Sequence, residues 1–247
     1  MGRVPSVATA AASPPHDRPT ITARVLGVLR RPRATLAAVA AAPSWAGILT
    51  LSTAAAAAAS AGFYSTGVGR QALVDRWERT AAAFGRELDD AAYADLLALA
   101  DYGALYGAAS AVASVALLTV GVAMVAFVAL RRRDGVPTFR QVLAVTSHAS
   151  VILVLRLVIA APVGYAREAA AGATSIGVWM PIFNETSIVS RFVGVLDVAV
   201  LWWAVVSAIG IAMLYGRPSR SVAVAFVGAY VAVALVVGAI MSVLGPA

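Results

Sequence analysis

The polar positions of this chain are gathered into a few short stretches, and between them lie long apolar runs. Residues 103–130 and 221–244 carry no charge at all. Residues 44–65 are also uncharged, although the run 54–59 is alanine alone and only weakly hydrophobic. Residues 141–166 contain one charge, Arg156, and residues 193–216 contain one, Asp197. A helix of about 20 apolar residues covers the roughly 30 Å hydrocarbon layer of a membrane. The five runs therefore predict an all-α, polytopic bundle with five crossings, about 44–65, 103–130, 141–166, 193–216 and 221–244. Membrane β-strands would alternate apolar and polar residues in short segments, and these runs do not.

Composition supports that reading. Hydrophobic residues make up 61% and charged residues 13%, against roughly 45–50% and 25% in soluble domains. A water-soluble fold of this length lacks the charged exterior that so much apolar surface would require. Cysteine is absent, which excludes disulfides, thiolate nucleophiles and cysteine metal sites. Every basic side chain is arginine.

Outside the crossings, residues 1–19 are rich in proline, serine, alanine and glycine and are expected to be a disordered tail. Residues 20–43 place Val25, Leu26, Val28 and Leu29 before Arg30, Arg31 and Arg33, with Pro32 between two short helices. This segment is expected to lie on an anionic membrane face. Residues 67–102 form an insertion in which Leu73, Trp77, Ala81, Phe84 and Leu88 recur at helical spacing. Asp75 with Arg79, and Arg86 with Asp90, are placed to pair four residues apart, and Asp89 or Asp90 is placed to cap a second helix. The insertion reads as a helical hairpin resting on headgroups. The later loop with Trp179, Met180, Pro181, Ile182 and Phe183 looks similarly interfacial.

The sign of the loops orients the chain. The segment before the first crossing holds six arginines and one aspartate, residues 131–140 hold four and one, and residues 217–221 hold two and none. Residues 67–102 and 167–190 have more acids than arginines. The positive-inside rule then places the N-terminus in the cytoplasm and, with five crossings, the C-terminus outside. Arg24, Arg30, Arg31, Arg33, Arg131, Arg132, Arg133 and Arg140 are the basic residues expected at the membrane surface, meeting anionic headgroups or a partner protein. Charge so distributed gives no reason to expect nucleic acid as a partner.

Arg156 is the costly residue. An arginine at the centre of a crossing disfavours insertion by about 2.5–3.5 kcal/mol, while the surrounding Val, Leu and Ile contribute about −0.3 to −0.6 kcal/mol each. A partner inside the bundle would relieve the cost. Asp197, in the next and antiparallel crossing, lies at a depth offset of about 6 Å from rise per residue, within reach of a long side chain. His148 is two turns before Arg156. Together His148, Arg156 and Asp197 form an intramembrane polar cluster that reads as a structural clamp or as a polar path for a solute. Gly103 with Gly107, the ridge Ala204, Ala208 and Ala212, and Ala234 with Gly238 have the small-residue spacing that lets helices approach.

No catalytic, cofactor-binding or metal-ligating set is found. The two histidines, His16 and His148, are in the tail and in a crossing. No GxSxG elbow, Walker loop or GxGxxG appears. Ser147 and Ser150 flank His148 too closely in sequence to face it.

LRRPRATLAAVAAAPSW (29–45), TFRQVLAVTSHASVILVL (138–155) and RFVGVLDVAVLWWAVVSAIGIAMLYG (191–216) resemble the Yip (Ypt/Rab-interacting) membrane-protein family in its bacterial branch. The resemblance extends over residues 24–246. It implies a cytoplasmic N-terminus, five crossings and a short exterior C-terminus. It does not imply Rab binding, because residues 1–43 contain no tyrosine and so lack the Asp-Leu-Tyr-Gly-Pro motif. The expected role is a non-enzymatic membrane scaffold or adaptor in a bacterial cytoplasmic membrane. The alternative is a small transporter or channel.

Overall fold

A computed structural model of the protein describes residues 20–130, 137–169, 174–179 and 188–244. The expected tail, Arg131, Arg132, Arg133 and residues 180–183 lie outside the described residues. Those described are helical, apart from short connections and one isolated antiparallel bridge between Ser175 and Asp197.

Two short helices come first, α1 (Ile21–Arg30) and α2 (Pro32–Ala41). Thr20 caps α1 by accepting from Ala23 N, and Pro32 opens α2 where its missing N–H costs nothing. They do more than rest on a surface. Val28 and Leu36 are buried, and α2 packs against the third crossing and against the helix after Asp197. Gln141 Nε2 donates to Ala40 O at 3.3 Å, tying the end of α2 to the start of that third crossing.

The first crossing is α3 (Ala46–Tyr64) and the second is α6 (Gly103–Ala129). They pack antiparallel along a small-residue seam. The buried residues of α6 are Gly103, Gly107, Ala111, Val115, Thr119, Ala123 and Ala126. Their near four-residue spacing makes a single stripe. The rest of α6 turns outward, with Leu117 72% exposed, as expected where lipid is the neighbour.

Between α3 and α6 stand α4 (Gly67–Ala83) and α5 (Asp90–Ala100). Thr66 caps α4 and Asp89 caps α5. The expected amphipathic stripe holds only in its first half. Leu73 is buried, but α4 ends at Ala83, Gly85 adopts φ +72°, and Phe84 and Leu88 fall in the connection. Neither predicted ion pair forms. Asp75 Oδ1 accepts from Gln71 Nε2 at 2.9 Å, and Arg86 lies in the connection between α4 and α5, so it and Asp90 do not share a helix. Arg70 instead meets Asp101 at 3.1 Å, across the hairpin.

The third crossing is α7 (Phe139–Ala149) followed without a change of course by α8 (Val151–Ala166). Thr138 and Gln141 form a capping box at its start. Ser150 Oγ donates back to Ser147 O at 2.8 Å, a contact that competes with the helical ladder at the joint. Every residue of 142–149 is buried, so α7 is the axis of the bundle.

The run 193–216 departs from expectation. It is not one helix. A short α9 (Ile176–Trp179) leads to α10 (Ile188–Val195), the chain unwinds at Leu196 and Asp197, and α11 (Val198–Leu214) resumes. The reason is local: Asp197 is extended, φ −127° and ψ 122°, and caps α11 instead of continuing α10. Alone, α11 is 17 residues long, about 25 Å at the helical rise. Among the described residues, four helical segments are long and apolar enough to cross a membrane: Ala46–Tyr64, Gly103–Ala129, Phe139–Ala166 and Ser219–Val243. The last belongs to α12 (Ser219–Leu244), reached through a turn in which Gly216 takes φ +59° and Arg217 N donates to Ala212 O at 2.9 Å.

Candidate functional site: an ion pair at a broken helix

Three of the expected polar residues are brought to different fates. Arg156 Nε lies 2.7 Å from Asp197 Oδ2, with the aspartate side chain 7% exposed and the arginine 33%. His148 does not join them. It is buried, and its Nδ1 makes its bond, 2.8 Å, to Ala144 O on its own helix. One turn of α7 therefore satisfies the histidine locally. Neither Ser147 nor Ser150 bonds to it: the Ser150 hydroxyl donates to a carbonyl, and the Ser147 hydroxyl is buried without a partner.

Around Asp197 the geometry is dense. Oδ1 accepts from Ala199 N at 2.9 Å and Val200 N at 3.2 Å, the ordinary cap of a helix whose first N–H groups have no partner within the helix. Oδ2 accepts from Thr174 Oγ1 at 2.8 Å and faces Arg156. Three hydrogen bonds and one ion pair thus engage both oxygens of the carboxylate. The macrodipole of α11 adds favourable field at this N-terminus.

The unwound backbone is satisfied by two other elements. Tyr230 of α12 accepts from Asp197 N at 3.0 Å and donates to Val195 O at 2.9 Å. The strand-like segment beginning at Thr174 supplies the rest: Ile176 N donates to Leu196 O at 2.8 Å and Val198 N donates to Thr174 O at 3.0 Å. Ser175 Oγ donates to Gly194 O at 3.0 Å. Non-helical backbone inside a membrane is tolerated only when buried in protein or lining a wet cavity, and here it is buried in hydrogen bonds.

The two halves of the break continue along one neighbour. Arg191 donates to Met241 O, Phe192 lies against Gly238, and Tyr230 reaches Asp197. Any Cβ at Gly238 would sit 3.2 Å from Phe192 Cα, so the small residue sets the spacing of α10 and α12. The other spacings predicted from small residues also meet neighbours. A Cβ at Gly107 would lie 2.5 Å from Tyr64 Cδ2 and 3.0 Å from Ser60 O, and the ridge Ala204, Ala208 and Ala212 is buried.

Arg30, Arg31, Arg33 and Arg140 are exposed, and Arg24 Nη1 donates to Ser44 Oγ at 3.0 Å. Among the described residues no group of three or more His, Cys, Asp or Glu side chains could hold a metal ion. Thr174 and Tyr230 were not singled out from the sequence. Tyr230 had a signal, since a tyrosine amid an uncharged apolar run needs a partner for its hydroxyl. Thr174 had none, because its role depends on a loop folding back.

Comparison with known proteins bears on nearly the whole chain. The family model described as the Yip1 domain matches residues 26–241. No curated protein and no solved structure matches.

Proposed function

The chain belongs to the Yip1 domain family, and from that premise we propose that it is a non-enzymatic scaffold or adaptor, crossing a bacterial cytoplasmic membrane five times. It is a multi-pass integral membrane protein, with four helical segments long and apolar enough to span and large lipid-facing surfaces on α6 and α12. What supports a fifth crossing is the run of α10 and α11 along α12 as one interrupted passage. An odd number puts the termini on opposite sides, and the positive-inside rule favours a cytoplasmic N-terminus, with the exposed arginines Arg30, Arg31, Arg33 and Arg140 on the cytoplasmic face and the acids of α4 and α5 opposite. On that face the arginines meet anionic headgroups or a protein partner; Rab binding is not expected.

The observation that carries the scaffold reading is the engagement of Asp197. Both of its oxygens are engaged by protein groups, through three hydrogen bonds and the ion pair with Arg156, and it acts as a clamp. The transporter reading draws on one feature, the break at 196–197, since broken helices border substrate sites in transporters. Reconstituted protein should give no flux dependent on pH or solute. Flux abolished by Asp197→Asn would establish the transporter instead. Crosslinking in cells should recover one recurrent partner, and single cysteines at positions 85 and 135 should label from opposite sides.

A further inference from the structure

Arg156 has more hydrogen-bonding capacity than Asp197 uses. A guanidinium presents five N–H donors in one plane. The aspartate meets only its Nε edge, and no other hydrogen bond or ion pair of Arg156 occurs among the described residues. The fork made by Nη1 and Nη2 is open, on a side chain one-third exposed. Asp197 cannot turn to serve it, because both its oxygens are held by Thr174, Ala199 and Val200 as well. Among the described residues, none of the neighbouring hydroxyls of Thr174, Ser175 and Tyr230 accepts from the guanidinium.

The open fork borders lipid. Ile159, three residues further along α8 and on the same face as Arg156, is 44% exposed within the span Phe139–Ala166. Arg156 is ten residues from Ala166, about 15 Å along the helix. The whole span has 28 residues, about 42 Å at that rise, so about 6 Å of it protrudes at each end of a hydrocarbon layer roughly 30 Å thick. The Arg156 backbone then sits about 9 Å below the headgroups, a depth an arginine covers by snorkelling. Donors left open to hydrocarbon are costly. A phosphate matches the planar fork with two parallel bonds, and a lipid brings one to this depth on its own acyl chains.

We propose that the Nη fork of Arg156 binds the phosphate oxygens of a phospholipid from the leaflet at the α4–α5 end, with Asp197 as the positioning residue that holds the guanidinium by its other edge. Free phosphate has the same oxyanion chemistry. The approach past Ile159 selects the acylated source.

The test uses full-length protein, delipidated in phosphate-free maltoside micelles. Its thermal midpoint is followed on adding phosphatidylglycerol, a phosphate-free galactolipid, or inorganic phosphate. Phosphatidylglycerol should raise the midpoint and the other two should not. Arg156→Lys keeps the charge and a donor for Asp197 but has no second edge. It should need at least about tenfold more phosphatidylglycerol for half the effect, the loss expected of one charge-assisted hydrogen bond. Equal response to galactolipid, an unchanged response in Arg156→Lys, or a shift from inorganic phosphate alone would each overturn the proposal. If the lysine variant does not purify, native mass spectrometry of the wild type decides. Preferential retention of phosphatidylglycerol over galactolipid supports the site, and equal retention removes it. These outcomes are independent of the flux and crosslinking tests of the scaffold reading.

Discussion

The α3–α6 seam and the joint where α8, α10, α11 and α12 meet Asp197 hold helices together by opposite means. The seam works through close contact: Gly103 and Gly107 bring α6 against Tyr64 and the Ser60 carbonyl, and the one buried polar side chain of α6, Thr119, has no hydrogen-bond partner. The joint holds a charge pair, two hydroxyls and an unwound turn, tied together by an ion pair and hydrogen bonds. In lipid the hydrophobic effect does not favour one helix neighbour over another, so either dense packing or hydrogen bonding must supply the preference. The seam tolerates chemical change but not volume. The joint should tolerate small changes of volume but not loss of a partner.

The largest effect is expected at the joint. Asp197→Leu removes the α11 cap and leaves Arg156 charged and unpaired, which should destabilise by about 3–5 kcal/mol and appear as loss of monodisperse protein in detergent. Arg156→Leu combined with Asp197→Leu should recover part of that loss, because no charge is stranded. A double variant as unstable as Asp197→Leu would mean that the cap and Thr174, not the ion pair, dominate.

At the seam, Gly107→Ile should separate α3 from α6. The Cβ alone would lie 2.5 Å from Tyr64 Cδ2, and overpacking of this kind costs about 1–3 kcal/mol. The melting midpoint in micelles measures it. Gly121 provides the contrast: it lies on the same helix, but a Cβ there would meet nothing within 4 Å. Gly121→Ala should be neutral or stabilising by up to about 1 kcal/mol from helix propensity. Equal losses at both positions would remove the seam as the cause.

Tyr230→Phe separates hydrogen bonding from shape. It keeps the ring and strands Asp197 N and Val195 O, at about 1–3 kcal/mol, and should speed hydrogen exchange at Asp197 without disturbing α3 or α6. The smallest effect is expected at Glu168, which adopts φ +51° just past α8. Glu168→Gly should raise the midpoint slightly, relieving about 1 kcal/mol of left-handed strain.

Much of the frame is legible in the order of residues. The bounds of α3, α6 and α12 follow the uncharged runs closely, because burial in lipid demands apolar length and little else. The pairing of Arg156 with Asp197 followed from depth and cost. The break beside Asp197 was not legible. From sequence the aspartate read as a charge within a continuous helix, whereas its side chain takes the backbone N–H groups that α10 would have used. The half-formed stripe of α4 failed for a related reason: periodicity continues through Phe84 and Leu88, but Gly85 ends the helix between them. His148 was grouped with Arg156 by spacing, and the Ala144 carbonyl of its own turn claimed it first.

By itself the sequence determined that the chain lives in a membrane and where its long helices begin and end. Those properties depend on totals of apolar length and charge, which add up along the chain without regard to neighbours. The tertiary structure alone decided that α10 and α11 are two helices, that Tyr230 and Thr174 complete the joint, and that α2 is drawn into the bundle beside Gln141. Those outcomes depend on which donor finds which acceptor across space, and residues far apart in sequence compete for that choice only once the chain has folded.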